Sequence, residues 1–142
     1  SMTPMFRALS TAVLALALAA PAFADAAKAY SIDTAGTTTK LKQGAQGQLK
    51  VAIKPAEGHY VSPEAPFKIT LSAEALTVAK TSVGRADLDD PKAKAPSFKV
   101  ALTAPAKAGD GKVMADVSFF LCNETICEKK TEKVAVAVSV TP

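Results

Sequence analysis

Apolar residues recur at every second position in several segments of the chain, the period of a strand with one buried face. Leu49, Val51 and Ile53 share a face, as do Phe67, Ile69 and Leu71, and Phe98, Val100 and Leu102. Val113, Ala115, Val117, Phe119 and Leu121 extend the pattern, and Val134, Val136, Val138 and Val140 give its cleanest instance. Shorter alternations at 29–32, 37–41 and 76–81 add weaker strands, favoured by threonine and valine. Turn chemistry separates these runs: Gly44 and Gly47, residues 55–58 and 63–66, Asp89-Asp90-Pro91 and Gly109-Asp110-Gly111. No capped amphipathic helix competes after Ala24. Seven or eight short antiparallel strands predict an all-β, immunoglobulin-like β-sandwich, with a small barrel as the alternative. Residues 84–96 have no alternation, and their charges, prolines and alanines predict a mobile surface loop or a lid.

The first 24 residues follow a different pattern. Arg7 is a positive start, residues 8–20 form a short apolar run, and Ala22-Phe23-Ala24 is a small-x-small site. The expectation is a signal peptide over 1–24, cut between Ala24 and Asp25, with Ser1 ahead of Met2 read as an added residue. A membrane anchor needs about 20 apolar residues, and this run stops at Pro21. The mature domain is then 25–142, one hydrophobic core's worth of chain, and is expected to be periplasmic or secreted, soluble and without stable membrane insertion. Without Arg7, 16 Lys and Arg face 13 Asp and Glu, a net +3. That excess is small and scattered along strand faces, which argues against nucleic acid as a partner.

Cys122 and Cys127 are the only cysteines, one closing a strand and the other preceding the last one. If 113–121 and 133–140 pair as a hairpin, the two flank its connection, within the ~4.4–6.8 Å Cα separation that a disulfide needs. An oxidising compartment would form that bond. One reading is a staple that only fixes the C-terminal hairpin of a non-catalytic binding or structural module. The other is a redox pair, which needs an accessible sulfur and a stabilised leaving thiolate. Lys129, Lys130 and Lys133 would favour a thiolate, whereas Glu124 and Glu128 would oppose it.

The segment 117–127, Val-Ser-Phe-Phe-Leu-Cys-Asn-Glu-Thr-Ile-Cys, followed by a valine-rich strand, resembles the end of the N-terminal periplasmic domain of the DsbD family of thiol:disulfide interchange proteins. Residues 58–67, Gly-His-Tyr-Val-Ser-Pro-Glu-Ala-Pro-Phe, are similar to that family's segment opening the next strand. The family usually places five residues between its cysteines and a proline soon after the second. Here four residues intervene, and Glu128 and Lys129 follow. The resemblance implies an immunoglobulin-like domain standing alone, with Cys122 and Cys127 as a redox pair that passes electrons from a membrane thiol transporter to a thioredoxin-like periplasmic protein.

The remaining chemistry is sparse. His59 is the only histidine, and a copper(I) site of His59 with Met114 or a cysteine is conceivable, but no spacing fixes three ligands on one face. The ordinary reading is a loop histidine beside Tyr60, and no metal or cofactor is expected. Asn123-Glu124-Thr125 fits a glycan acceptor, which matters only in a glycosylating host. No nucleophile motif accompanies the single histidine, and Asp89-Asp90 reads as solvated loop charge.

Overall fold

A computed structural model describes residues 28–142 together with Met2. The expected signal segment 1–24 and its cut at Ala24 lie outside this stretch. Ten strands follow in chain order: β1 (Tyr30–Asp33), β2 (Lys40–Lys42), β3 (Gln46–Pro55), β4 (Tyr60–Val61), β5 (Lys68–Glu74), β6 (Thr77–Val78), β7 (Ser82–Val83), β8 (Ser97–Thr103), β9 (Gly109–Cys122) and β10 (Cys127–Thr141). Those of three residues or more match the alternating segments of the sequence. β4, β6 and β7 are two-residue pieces too short to show a period.

The strands form two sheets, in the orders β1-β3-β8-β6 and β2-β10-β9-β5-β7, with β4 also pairing β9. If β1, β3, β8 and β6 are strands A, B, E and D, and β5, β9 and β10 are C, F and G, this is the ABED-on-CFG layout of the immunoglobulin fold. The protein is an immunoglobulin-like β-sandwich. One pairing is not antiparallel: β2 runs parallel to β10, with Lys40 opposite Ser139. The first stretch of chain crosses between the sheets after β1 instead of turning back, with Gly36 at φ 91° in the crossing.

The core lies between the two inner faces, and alternation identifies its residues. Leu49, Val51, Ile53, Ile69, Leu71, Phe98, Leu102, Val113, Val117 and Phe119 are all but inaccessible. Each such side chain contributes roughly 1.5–3 kcal/mol relative to exposure. The ring of Tyr30 meets Phe119 edge-on at 5.1 Å between centroids. Val138 and Val140 are buried, but Val134 and Val136 are only half covered. At Gly111, a Cβ would lie 2.8 Å from the Glu74 carbonyl oxygen, so the close β5–β9 approach requires glycine there.

Residues 84–96 are tied down at several points, which the sequence reading of a mobile loop or lid did not anticipate. A 3-10 turn spans Arg85–Asp87, and Leu88 is buried in the core. Ile53 donates its N–H to Pro96 O, and Val61 donates to Lys94 O. The Arg85 guanidinium donates to the carbonyls of Ser62, at 2.8 Å, and Ala65, and sits 5.8 Å from the centre of the Phe67 ring. One side chain thus binds the 84–96 segment to the connection between β4 and β5.

Candidate functional site

β9 and β10 form an antiparallel hairpin whose last opposed pair is Cys122 with Cys127, and the two are joined by a disulfide. Their Cα atoms are 4.0 Å apart, below the separation expected from the sequence. Register gives the reason. Asn123 N–H donates to Ile126 O, so the next pair outward is hydrogen-bonded and the cysteine pair is not. Residues in non-hydrogen-bonded pairs approach more closely, to about 4.5 Å. The turn is held without help from sulfur. Asn123 Oδ1 accepts from Thr125 N–H at 2.9 Å, Thr125 Oγ1 at 3.0 Å and Ile126 N–H at 2.9 Å.

The two cysteines are unequal. Cys122 is 1% exposed, whereas Cys127 is exposed. Cys122 lies in the middle of a row, flanked by Tyr60 on β4 and Cys127 on β10. Among the described residues, Cys127 has a strand neighbour on one side only. Directly opposed residues put their side chains on the same face, so Tyr60, Cys122 and Cys127 share the outer face of the sheet. The Lys94 ammonium lies 5.3 Å from the centre of the Tyr60 ring. The 84–96 segment therefore reaches the disulfide row through Tyr60. Neither Tyr60 nor Lys94 was legible as a site residue, although Tyr60 falls within the segment that carries the family resemblance.

Strand parity sorts the nearby charges. Along β10, odd positions face outward with the disulfide, and even positions face the sheet interior or its rim. Lys129 is therefore on the cysteine face, opposite Phe120. Lys130 and Glu128 are on the other face, paired at 3.0 Å. Lys133 faces outward but is six residues from Cys127, about 20 Å along the strand. Of the three lysines expected to favour a thiolate, only Lys129 is both on the right face and near. Glu132, turned inward, pairs with Lys28 at 3.0 Å. Its carboxyl is held below the usual range by the Lys28 bond, with a further contribution from the Tyr30 hydroxyl. Burial, reinforced by Glu132, pushes the Tyr30 phenol up to about 12.

The metal alternative is not assembled. Met114 and Cys122 share β9 eight residues apart, roughly 27 Å, with His59 next to the Cys122 end. His59 lies in a recess of about 80 Å³ beside Asn123, Glu128 and Lys130, with Nδ1 3.1 Å from the Glu57 carbonyl oxygen. Among the described residues, no group of three His, Cys, Asp or Glu could hold a metal ion. Asp89 accepts from Ser97 Oγ at 2.7 Å, and Asp90 accepts from Lys92 N–H at 2.9 Å, both as loop anchors. Among the described residues, no helix is long and apolar enough to cross a membrane.

No family model matches the chain, and no curated protein does. Solved structures similar to it include domains 4 and 5 of the S-layer protein SbsC (15% identity, TM-score 0.46, 79% of this chain) and a native alpha-2-macroglobulin fragment from Escherichia coli (13%, TM-score 0.49, 80% of this chain). A cohesin module from Clostridium perfringens follows at 11% identity and TM-score 0.40, over 78% of this chain and 94% of that one. The chain spans 51% of the SbsC fragment and 16% of the macroglobulin fragment. At these levels no function passes from them to this protein.

Proposed function

We propose that this is an exported DsbD-N-like domain that exchanges disulfides through Cys122 and Cys127. The observation that carries the reading is the asymmetry of the pair, with Cys127 open to solvent and Cys122 enclosed. Exchange needs one sulfur that an incoming thiolate can reach. In the forward step a partner thiolate attacks Cys127 Sγ, the Cys122–Cys127 bond breaks, and Cys122 leaves as a thiolate that then takes up a proton. A second thiol of the partner attacks the mixed disulfide, so the pair gains two electrons and the partner is oxidised to its disulfide. The reverse sequence hands the electrons on. A membrane thiol transporter as donor and a thioredoxin-like periplasmic protein as acceptor complete the proposal.

The bonds accepted by Asn123 Oδ1 support the same reading, because they keep the turn closed when the sulfur bond is open. A staple would add about 2 kcal/mol to a hairpin already paired from Gly109 to Cys122. The reduction potential of the purified chain tests the proposal. A value above about −300 mV is expected, and the Cys122→Ser variant should trap a mixed disulfide with a thioredoxin-like protein through Cys127. A potential far below that value, with no trapped partner, leaves only the staple.

A further inference from the structure

β10 is paired with β9 from Cys127 to Val140, but on its other side, among the described residues, it meets only β2, at Ser139, Val140 and Thr141. Ser139 N–H points away from β9, to Thr39 O. The register has no bulge, so every odd residue of β10 turns its N–H and C=O the same way. Lys129, Thr131, Lys133, Ala135 and Ala137 therefore present a row of backbone donors and acceptors with no partner among the described residues. Natural edge strands are usually short or covered, and this one is long and, among the described residues, uncovered.

We propose that this edge takes an added strand from another protein: an extended segment with carboxylates opposite Lys129 and Lys133 and aliphatic side chains opposite Val134 and Val136. Lys129 and Lys133 lie on the outer face, exposed, and neither is in an ion pair among the described residues, whereas the inward-facing Lys130 and Glu132 are already matched. Val134 and Val136 pack against the core but stay half covered, and a neighbouring strand would complete their burial. Main-chain bonds would supply affinity, and the alternating side chains specificity.

A second copy of this chain is a poor occupant. Only odd residues offer their backbone to the edge, so an antiparallel copy must pair about a two-fold through a single residue. Centred on Glu128, Lys129, Lys130, Glu132 or Lys133, that axis sets a charge against itself. Centred on Thr131, it sets Lys129 against Lys133. Axes at Val134 or Ala135 avoid the clash, but with Ser139 already taken by β2 their ladders stay within residues 131–137, where Lys133 meets only an alanine and Lys129 meets nothing.

The test uses the purified full chain, disulfide intact, and a blocked peptide, Thr-Val-Thr-Val-Glu-Thr-Thr-Thr-Glu. Two controls accompany it: a version with lysine for glutamate, and one N-methylated at residues 3, 5 and 7. Amide exchange read by NMR should slow about tenfold or more at 129, 131, 133, 135 and 137 with the acidic peptide, and stay unchanged at the even positions already bonded to β9. Ala135→Pro removes one edge donor without touching the β9 ladder and should weaken binding about tenfold. Should that variant not fold, Lys129→Glu with Lys133→Glu carries the same test, and its preference should turn to the lysine peptide. Equal binding of the N-methylated peptide, no protection by any probe at millimolar concentration, or a dimer that protects these amides without peptide would each overturn the proposal. The same protection is expected in Cys122→Ser with Cys127→Ser, so the inference stands or falls apart from disulfide exchange.

Discussion

Replacing Cys122 and Cys127 together with serine removes the covalent link while leaving the hairpin register and the Asn123 turn in place. The bond spans a sequence separation of 5, one of the shortest loops a disulfide can close. Loop-closure entropy for so short a loop gives about 2 kcal/mol of stabilisation through the unfolded chain. A domain of this size unfolds with an entropy of roughly 0.25 kcal/mol/K, so the melting temperature should fall by about 8 °C. By linkage, the same 2 kcal/mol places the folded pair only about 40 mV below the same pair in the denatured chain. The bond thus contributes a modest, measurable share of the fold's stability. Thermal melts followed by circular dichroism, on the oxidised chain, the chain held in reductant and the double variant, measure the difference once two-state behaviour is checked. A shift above about 15 °C in the folded double variant would show that the bond holds the hairpin up, and a shift under about 2 °C would refute the entropic estimate.

Four further outcomes follow from the structure. Iodoacetamide should label Cys127 in the Cys122→Ser variant on the order of tenfold faster or more than Cys122 in Cys127→Ser, because only Cys127 is exposed; equal rates by mass spectrometry would remove the asymmetry on which the exchange reading rests. Asn123→Ala loses three accepted hydrogen bonds in the turn and should cost about 1–2 kcal/mol in urea unfolding, in the reduced chain as well as the oxidised one. Gly111→Ala sets a methyl against a backbone oxygen that cannot yield, and should destabilise by roughly 1–3 kcal/mol in the same assay. Tyr30 is raised to about 12, so above its unfolded value of 10.0 the unfolded chain gives up that proton first; stability should fall as pH rises from 10 to 12, and Tyr30→Phe should flatten that part of the pH profile.

The sandwich was legible because strands with one wet face write their burial in a period of two, and Leu49 to Ile53 or Val113 to Leu121 could be read directly. The extent of β10 was not. Residues 128–133 are charged or polar on both faces, because this part of the strand is paired on one side only among the described residues, so no apolar alternation marks it as strand. The cysteine pairing was legible from the hairpin, but its inequality was not. That depends on β4, a two-residue strand whose Tyr60 flanks Cys122 from a site more than sixty residues earlier in the chain. Arg85 was hidden for a related reason: its partners are carbonyl groups, and carbonyls leave no mark in a sequence. Parity then corrected the electrostatics, since Lys129 and Lys130 are adjacent in sequence yet lie on opposite faces.

The parallel pairing of β2 with β10 sets a condition on when the molecule can fold. Lys40, Leu41 and Lys42 find their strand partners in Ser139, Val140 and Thr141, so the segment near the start of the described chain waits for its last residues. A growing chain can zip β3 to β8 and, later, β9 to β10. It cannot seal this corner of the sandwich until the end of β10 has emerged. Such late, long-range closure slows folding and lengthens the time the polypeptide spends open. Deleting Ser139, Val140 and Thr141 should therefore leave β2 without its sheet, although those residues are remote from the sulfurs.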